Sequence, residues 1–255
     1  MMRLATIEGF QITILNWYRQ NGRHLPWRST DDPYKIMIAE LLLQKTDVEK
    51  VKVVYEKFVG HWPTIQLLYK EDFYAIANVI EPLGLKYKTA RLKSIANIIV
   101  TKFGGRIPET TKMLLELPGI GRYIASAIKC FAYNKRTAIL DTNVVRILDR
   151  VLGISSQKQR PRDDALLWDL AQELLPHENV KEYNWALLDF GSIICKSRRP
   201  LCNVCTLQGM CTFYNSSSIC FRHNKREPVL TEGGPLFTCQ KQVLLGSKVN
   251  GRAKH

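Results

Sequence analysis

Apolar residues recur along most of the chain at intervals of three and four, the spacing that gathers them on one face of an α-helix. Ile7, Phe10, Ile14 and Tyr18 open the pattern. Ile38, Leu41 and Leu42 continue it, then Val48, Val51, Tyr55 and Phe58. Leu92, Ile95, Ile98 and Ile99 mark a helix between Ala90 and Phe103, and the same periodicity predicts helices near 121–133, 142–153, 163–175 and 179–194. Prolines such as Pro26, Pro33, Pro108 and Pro161 fall between these stretches, where a missing amide hydrogen is best tolerated. No alternating apolar run flanks an Asn-Gly or Asp-Gly turn, so paired strands are not indicated. The expected class is all-α. Residues 155–164, SSQKQRPRDD, read as a polar surface connection. After Tyr214 the periodicity stops, and residues 214–255 read as a poorly ordered basic tail. Within that tail Leu236–Phe237 and Val243–Leu245 are the patches by which it would dock on the body.

Composition narrows the classes. At 45% hydrophobic, a chain of 255 residues can bury a core without disulfides and is not disordered throughout. Lys and Arg number 37 against 23 Asp and Glu, a net charge of +14 that concentrates polyanions and points to nucleic acid as partner. No apolar run approaches the ~18 residues that span a bilayer. The N-terminal segment lacks the apolar centre of a signal peptide. The expected location is the cytoplasm, associated with the nucleoid, or the nucleus in a eukaryote, with no membrane partner.

Seven cysteines exclude a pure disulfide framework, and Cys195, Cys202, Cys205 and Cys211 cluster as C-x6-C-x2-C-x5-C. In a reducing compartment such clusters bind metal, and four thiolates suit zinc or an iron–sulfur centre. Lys196, Arg198 and Arg199 lie between the first two cysteines, as a phosphate-binding loop or a solvated charge run. Leu117-Pro118-Gly119-Ile120-Gly121-Arg122 precedes a helical run. Its glycines let a phosphate approach backbone amides at a helix start, although a tight turn between helices has the same pattern. Asp141 stands before an apolar helix, where it would cap the N-terminus and be kept ionised. Glu40 sits in Ile36-Met-Ile-Ala-Glu40-Leu-Leu-Leu43, among seven apolar residues. Partial burial there would raise its pKa and make it a general acid near neutral pH; the alternative is a thin polar stripe shared with Asp47.

Taken in order, these segments resemble the helix–hairpin–helix DNA glycosylases of the endonuclease III superfamily. The likeness rests on Glu40 in E-L-L-L-Q-K-T, on L-P-G-I-G-R, and on Asp141 twenty residues after Gly121. It rests also on Asn184, Leu187, Asp189 and Gly191 leading to Cys195 and the cysteine spacing, and it covers about residues 8–213. The resemblance implies a [4Fe–4S] cluster on Cys195, Cys202, Cys205 and Cys211. It implies two helical lobes, 30–135 and 1–29 plus 136–213, with a DNA groove between them. Asp141 would stabilise a cationic sugar, Asn143 would orient water or that carboxylate, and Glu40 would act on the departing base. Gly119, Gly121, Arg122, Arg198 and Arg199 would contact DNA, while Gln44 and Lys45 would face the gap in the duplex and the opposite base.

Bifunctional members carry a lysine after L-P-G-x-G-R, whose amine attacks the sugar. Tyr123 stands there in this chain, and a phenol forms no imine, which implies base removal without strand cleavage. Tyrosine at this position resembles both thymine–guanine mismatch glycosylases and MutY-type adenine glycosylases. Q-K-T is intermediate between the two. The segment from Gly84 to Arg91 lacks the adenine form, and the stretch after Tyr214 is too short for a domain reading 8-oxoguanine. The expected substrate is therefore mismatched double-stranded DNA with thymine or uracil opposite guanine, acted on by a monomer. The alternatives are adenine opposite guanine or 8-oxoguanine, and a non-catalytic iron–sulfur DNA-binding protein.

Overall fold

A computed structural model of the chain describes residues 4–84 and 87–216. The basic tail read over 214–255, with its two apolar patches, lies outside the described residues from 217 onward, as do Cys220 and Cys239. Among the described residues the structure is helical and contains no strand. Its helices are α1 (Leu4–Asn21), α2 (Pro33–Leu43), α3 (Val48–His61), α4 (Ile65–Lys70), α5 (Phe73–Ile80) and α6 (Tyr87–Phe103). They continue as α7 (Thr111–Leu115), α8 (Arg122–Phe131), α9 (Thr142–Leu152), α10 (Ala165–Glu173) and α11 (Val180–Ile193). None of the described helices is long and apolar enough to cross a membrane.

Short polar side chains start most of these helices by accepting their free amide hydrogens. Asp32, Asp47, Thr64, Asp72, Thr110, Asp141 and Asp164 cap α2, α3, α4, α5, α7, α9 and α10 respectively. Pro33 follows Asp32 as the first residue of α2, a position whose amide has no partner inside the helix. Gly153, at φ 70°, ends α9 in the left-handed region that other residues resist.

Two apolar cores result. One gathers α2, α3, α6 and α8 around Met37, Ile38, Leu42, Phe58, Leu92, Ile95 and Ile128. The other packs α1, α9 and α11 around Phe10, Ile14, Ile147, Tyr183 and Phe190. The N-terminal segment divides between them: Phe10, Ile14 and Trp17 belong to the second core, Leu25 and Trp27 to the first. In α1 the fourth inward position is Trp17; Tyr18, expected there from the periodicity, is only partly buried.

Helix α2 is apolar all round because it runs through the middle of the first core, and every residue but Pro33, Lys35 and Leu43 is buried. A cross-brace joins the two halves. Asp189 on α11, fully buried, accepts hydrogen bonds from Arg23 N (2.9 Å) and Nε (2.7 Å) and from Arg28 Nη1 (2.7 Å) and Nη2 (2.9 Å). Burial pushes this carboxyl up, but the two guanidiniums outweigh it and hold it below the ordinary value. Arg28 in turn lies against the Trp185 ring of α11, 5.6 Å from its centroid.

Candidate active site

Between the cores opens a cavity of about 600 Å³. Glu40, Gln44 and Lys45 border it from α2 and the turn after it, Gly119, Gly121, Arg122 and Tyr123 from the hairpin and α8, and Asp141 from the cap of α9. The structure thus brings together eight residues singled out from the sequence. Asn143 sits one step behind Asp141, and the four cysteines with Arg198 and Arg199 lie on a separate loop.

Glu40 is buried because α2 is buried; the alternative of a polar stripe with Asp47 does not hold, since Asp47 is exposed and serves as the cap of α3. Burial pushes the Glu40 carboxyl up to about 7, against a hydrogen bond from the Tyr123 hydroxyl and the Arg28 charge, which lower it, while Asp141 raises it. Burial, reinforced by both carboxyl groups, also drives the Tyr123 hydroxyl well above its ordinary value, so it stays a neutral donor. Asp141 accepts from Asn143 N and Val144 N, both at 2.8 Å, and from Asn143 Nδ2 at 2.7 Å. The cap expected from the sequence is present, but its electrostatic consequence is modified. Desolvation outweighs the donors, and the carboxyl is raised from its usual value rather than simply held ionised.

The hairpin runs from α7 to α8 with Gly119 at φ 79°. A side chain there would be strained and would run into Arg91. Gln44 closes against it: its Nε2 donates to Gly119 O at 2.9 Å, and its Oε1 accepts from Arg91 Nη1 at 2.6 Å. Lys88, itself buried, donates to Leu42 O (2.5 Å) and Thr46 Oγ1 (2.8 Å), fastening both sides of the same turn. Lys45, between these anchors, is exposed at φ 56°.

Helix α9 links the cavity to the cysteines. Arg146 Nη2 donates to Asn143 Oδ1 and to Gly191 O, each at 2.7 Å, and its Nε donates to Cys195 O at 2.7 Å. One turn on, Arg150 Nη1 donates to Lys196 O (2.6 Å) and approaches Cys195 Sγ (3.6 Å). Gly191 makes this fit achievable, because a Cβ there would meet Asn143 Cβ at 2.6 Å. Cys195, Cys202, Cys205 and Cys211 are free thiols around one cavity that Arg150 also borders. Burial, with the other three thiols adding, pushes Cys205 up to about 11. No group of three or more described His, Cys, Asp or Glu side chains is arranged to hold a metal ion. Lys196, Arg198 and Arg199 are exposed on this loop, Arg199 at φ 50°.

Sequence reasoning missed Arg28, Arg146 and Arg150; guanidiniums that bond backbone carbonyls or a distant carboxylate leave no periodic signal. The 155–164 segment, read as a surface connection, also borders the cavity through Arg160 and Arg162.

The profile of the HhH-GPD superfamily, described as base excision DNA repair proteins, matches residues 38–173, which contain Glu40, the hairpin and Asp141. The chain belongs to this superfamily. A thymine-DNA glycosylase of Aeropyrum pernix is 39% identical over 214 residues, spanning 82% of this chain and 96% of that protein. A solved structure of a thermostable thymine-DNA glycosylase superposes with a TM-score of 0.78 at 35% identity, covering 82% of this chain and 97% of its own. An adenine DNA glycosylase of Rattus norvegicus is 34% identical over 217 residues, 82% of this chain but 42% of that longer protein. The HhH-GPD match places the all-α fold and the hairpin in one family context.

Proposed function

We propose that the protein is a monofunctional DNA glycosylase that hydrolyses the N-glycosidic bond of thymine or uracil opposite guanine in double-stranded DNA. The observation that carries the reading is the convergence of Glu40, Tyr123 and Asp141 on one cavity of about 600 Å³, ample for an extruded nucleotide, in a chain 39% identical to a thymine-DNA glycosylase.

The target nucleotide leaves the base stack at a cost of about a few kcal/mol, least at a mismatch. In the cavity the Glu40 carboxyl, with a pKa near 7, gives its proton to the departing base as the bond to C1′ breaks, and the bonding pair leaves with the base. Ionised Asp141, steered by Asn143, faces the developing positive charge on the sugar. Water then adds to C1′ and returns a proton to Glu40. Two carboxyl groups dividing acid and charge-stabilising work follow the logic of glycoside hydrolysis. Tyr123 holds Glu40 and offers no amine, so the product is an abasic site on an intact strand. Adenine is the second reading, favoured by Gln44 in Q-K-T.

Single-turnover incubation with T:G, U:G, A:G and A:8-oxoguanine duplexes, followed by alkali, tests both readings. Release of thymine or uracil is expected. Release of adenine alone overturns the specificity, and no release from any duplex, with DNA binding retained, replaces the enzyme by a non-catalytic DNA-binding protein.

We infer also that Cys195, Cys202, Cys205 and Cys211 hold a [4Fe–4S] cluster. Four free thiols around one cavity and the Arg150 guanidinium beside Cys195 Sγ support it. The cluster would stiffen the loop that presents Arg198 and Arg199 to the phosphate backbone. Iron and sulfide in near-equal amounts with broad visible absorption are expected; a colourless protein with stoichiometric zinc contradicts the assignment. The protein acts as a monomer, to be checked by sedimentation.

A further inference from the structure

Beside the candidate active site lies a second cavity of about 580 Å³, lined by Thr142, Arg146, Asp149, Ser155 and Ser156 among others. Arg160 and Arg162 border both cavities and form the ridge between them, together with Thr142 at the first turn of α9. Both arginines are exposed, and neither enters an ion pair among the described residues, although acidic residues surround them. Asp164 is committed elsewhere: it caps α10 at Leu166 N (3.2 Å) and accepts from Ser156 Oγ at 2.5 Å. Asp149 is hydrogen-bonded by Ser155. Asp163 faces the first cavity alone.

The ridge is held in place. A 3-10 turn spans Pro161–Asp163, and the Trp168 indole donates to Arg162 O at 2.8 Å. Arg122, at the hairpin end of α8, stacks over the same Trp168 ring at 4.2 Å. Hairpin and ridge thus meet across one aromatic side chain and flank the mouth of the cavity that holds Glu40 and Asp141.

We propose that Arg160 and Arg162 form a phosphodiester-binding ridge, taking the backbone of the strand that carries the extruded nucleotide as it passes from the first cavity into the second. The inference rests on the glycosylase reading and adds a contact that neither the hairpin nor the cysteine loop supplies. A nucleotide turned into the first cavity carries its flanking phosphates to the rim. There two guanidiniums without carboxylate partners match a phosphodiester in charge and geometry.

The test compares wild type, Arg160→Gln/Arg162→Gln, and a charge-matched control, Lys57→Gln/Lys70→Gln, whose residues are exposed and line neither cavity. Binding to a duplex with an uncleavable abasic analogue at the target site is measured across salt concentrations. The logarithmic salt slope should shrink by about 0.9 for each lost phosphate contact in the ridge variant and stay at the wild-type value in the control. Neutral methylphosphonates then replace single phosphates around the target. One flanking position should weaken wild type but leave the ridge variant unaffected. An unchanged slope in the ridge variant, an equal loss in the control, or additive losses at every phosphate overturns the ridge. Circular dichroism of each variant keeps misfolding apart from lost contact. Failure of wild type itself to bind the duplex sinks the glycosylase reading instead.

Discussion

The first core delivers its carboxyl group from the middle of a helix, the second from a helix start. Glu40 has apolar neighbours in sequence and accepts a hydrogen bond from the Tyr123 hydroxyl, and its pKa climbs to about 7. Asp141 is desolvated too, yet two amides and Asn143 Nδ2 point at it and oppose the rise. Asp189 completes the series: it is the least solvent-exposed of the three, yet two arginines carry it below its ordinary value. Burial alone therefore does not decide protonation; the number and charge of the donors aimed at a carboxyl group does. On the glycosylase mechanism proposed above, that contrast would divide proton delivery from charge stabilisation within one cavity.

Asp141→Asn breaks the contrast most severely. Asparagine still caps a helix, so folding and DNA affinity should persist, while single-turnover base release should fall by at least about 10³-fold. Loss of binding instead would reduce Asp141 to a cap. Glu40→Gln should slow base release by about 10²-fold and remove its decline above pH 7. The same change should stabilise the protein. Because the folded pKa lies above the unfolded one, wild-type stability falls as pH rises from about 4.5 to about 7. The variant should thus gain up to ~3 kcal/mol at pH 8 and almost nothing at pH 4, read by urea denaturation. Gly191→Ala drives a methyl group against Asn143 and should cost about 1–3 kcal/mol while also slowing base release. Asp47→Ala, the loss of an ordinary cap, should cost about 1 kcal/mol with base release unchanged.

The longer helices, the hairpin and the burial of Glu40 were legible because periodicity, glycine spacing and an uninterrupted apolar surround are local signals; α4, α5 and α7, of 6, 8 and 5 residues, went unread because one or two turns repeat too little to show a period. The start of α9 was readable for the same reason, from Asp141 before an apolar run, whereas the caps Asp32 and Asp47 went unread because polar residues follow them closely. What escaped depends on partners far along the chain. Arg146 binds carbonyls at Gly191 and Cys195, and Gln44 reaches Gly119, contacts that no window of neighbouring residues contains. The raised Asp141 carboxyl escaped because a cap is visible in sequence and desolvation is not. Arg160 and Arg162 sit in a stretch as polar as any surface loop, and only the fold turns that stretch toward the cavity.

Lys45 illustrates a conflict between durability and use. A residue with a Cβ in the left-handed region strains the backbone by about 1–2 kcal/mol, and the anchors from Gln44, Arg91 and Lys88 keep it there. Glycine at this position would relax the turn and raise the melting temperature while deleting a cation from the rim of the cavity. Selection for thermal robustness alone would discard this lysine, whereas selection for grip on a polyanion would retain it.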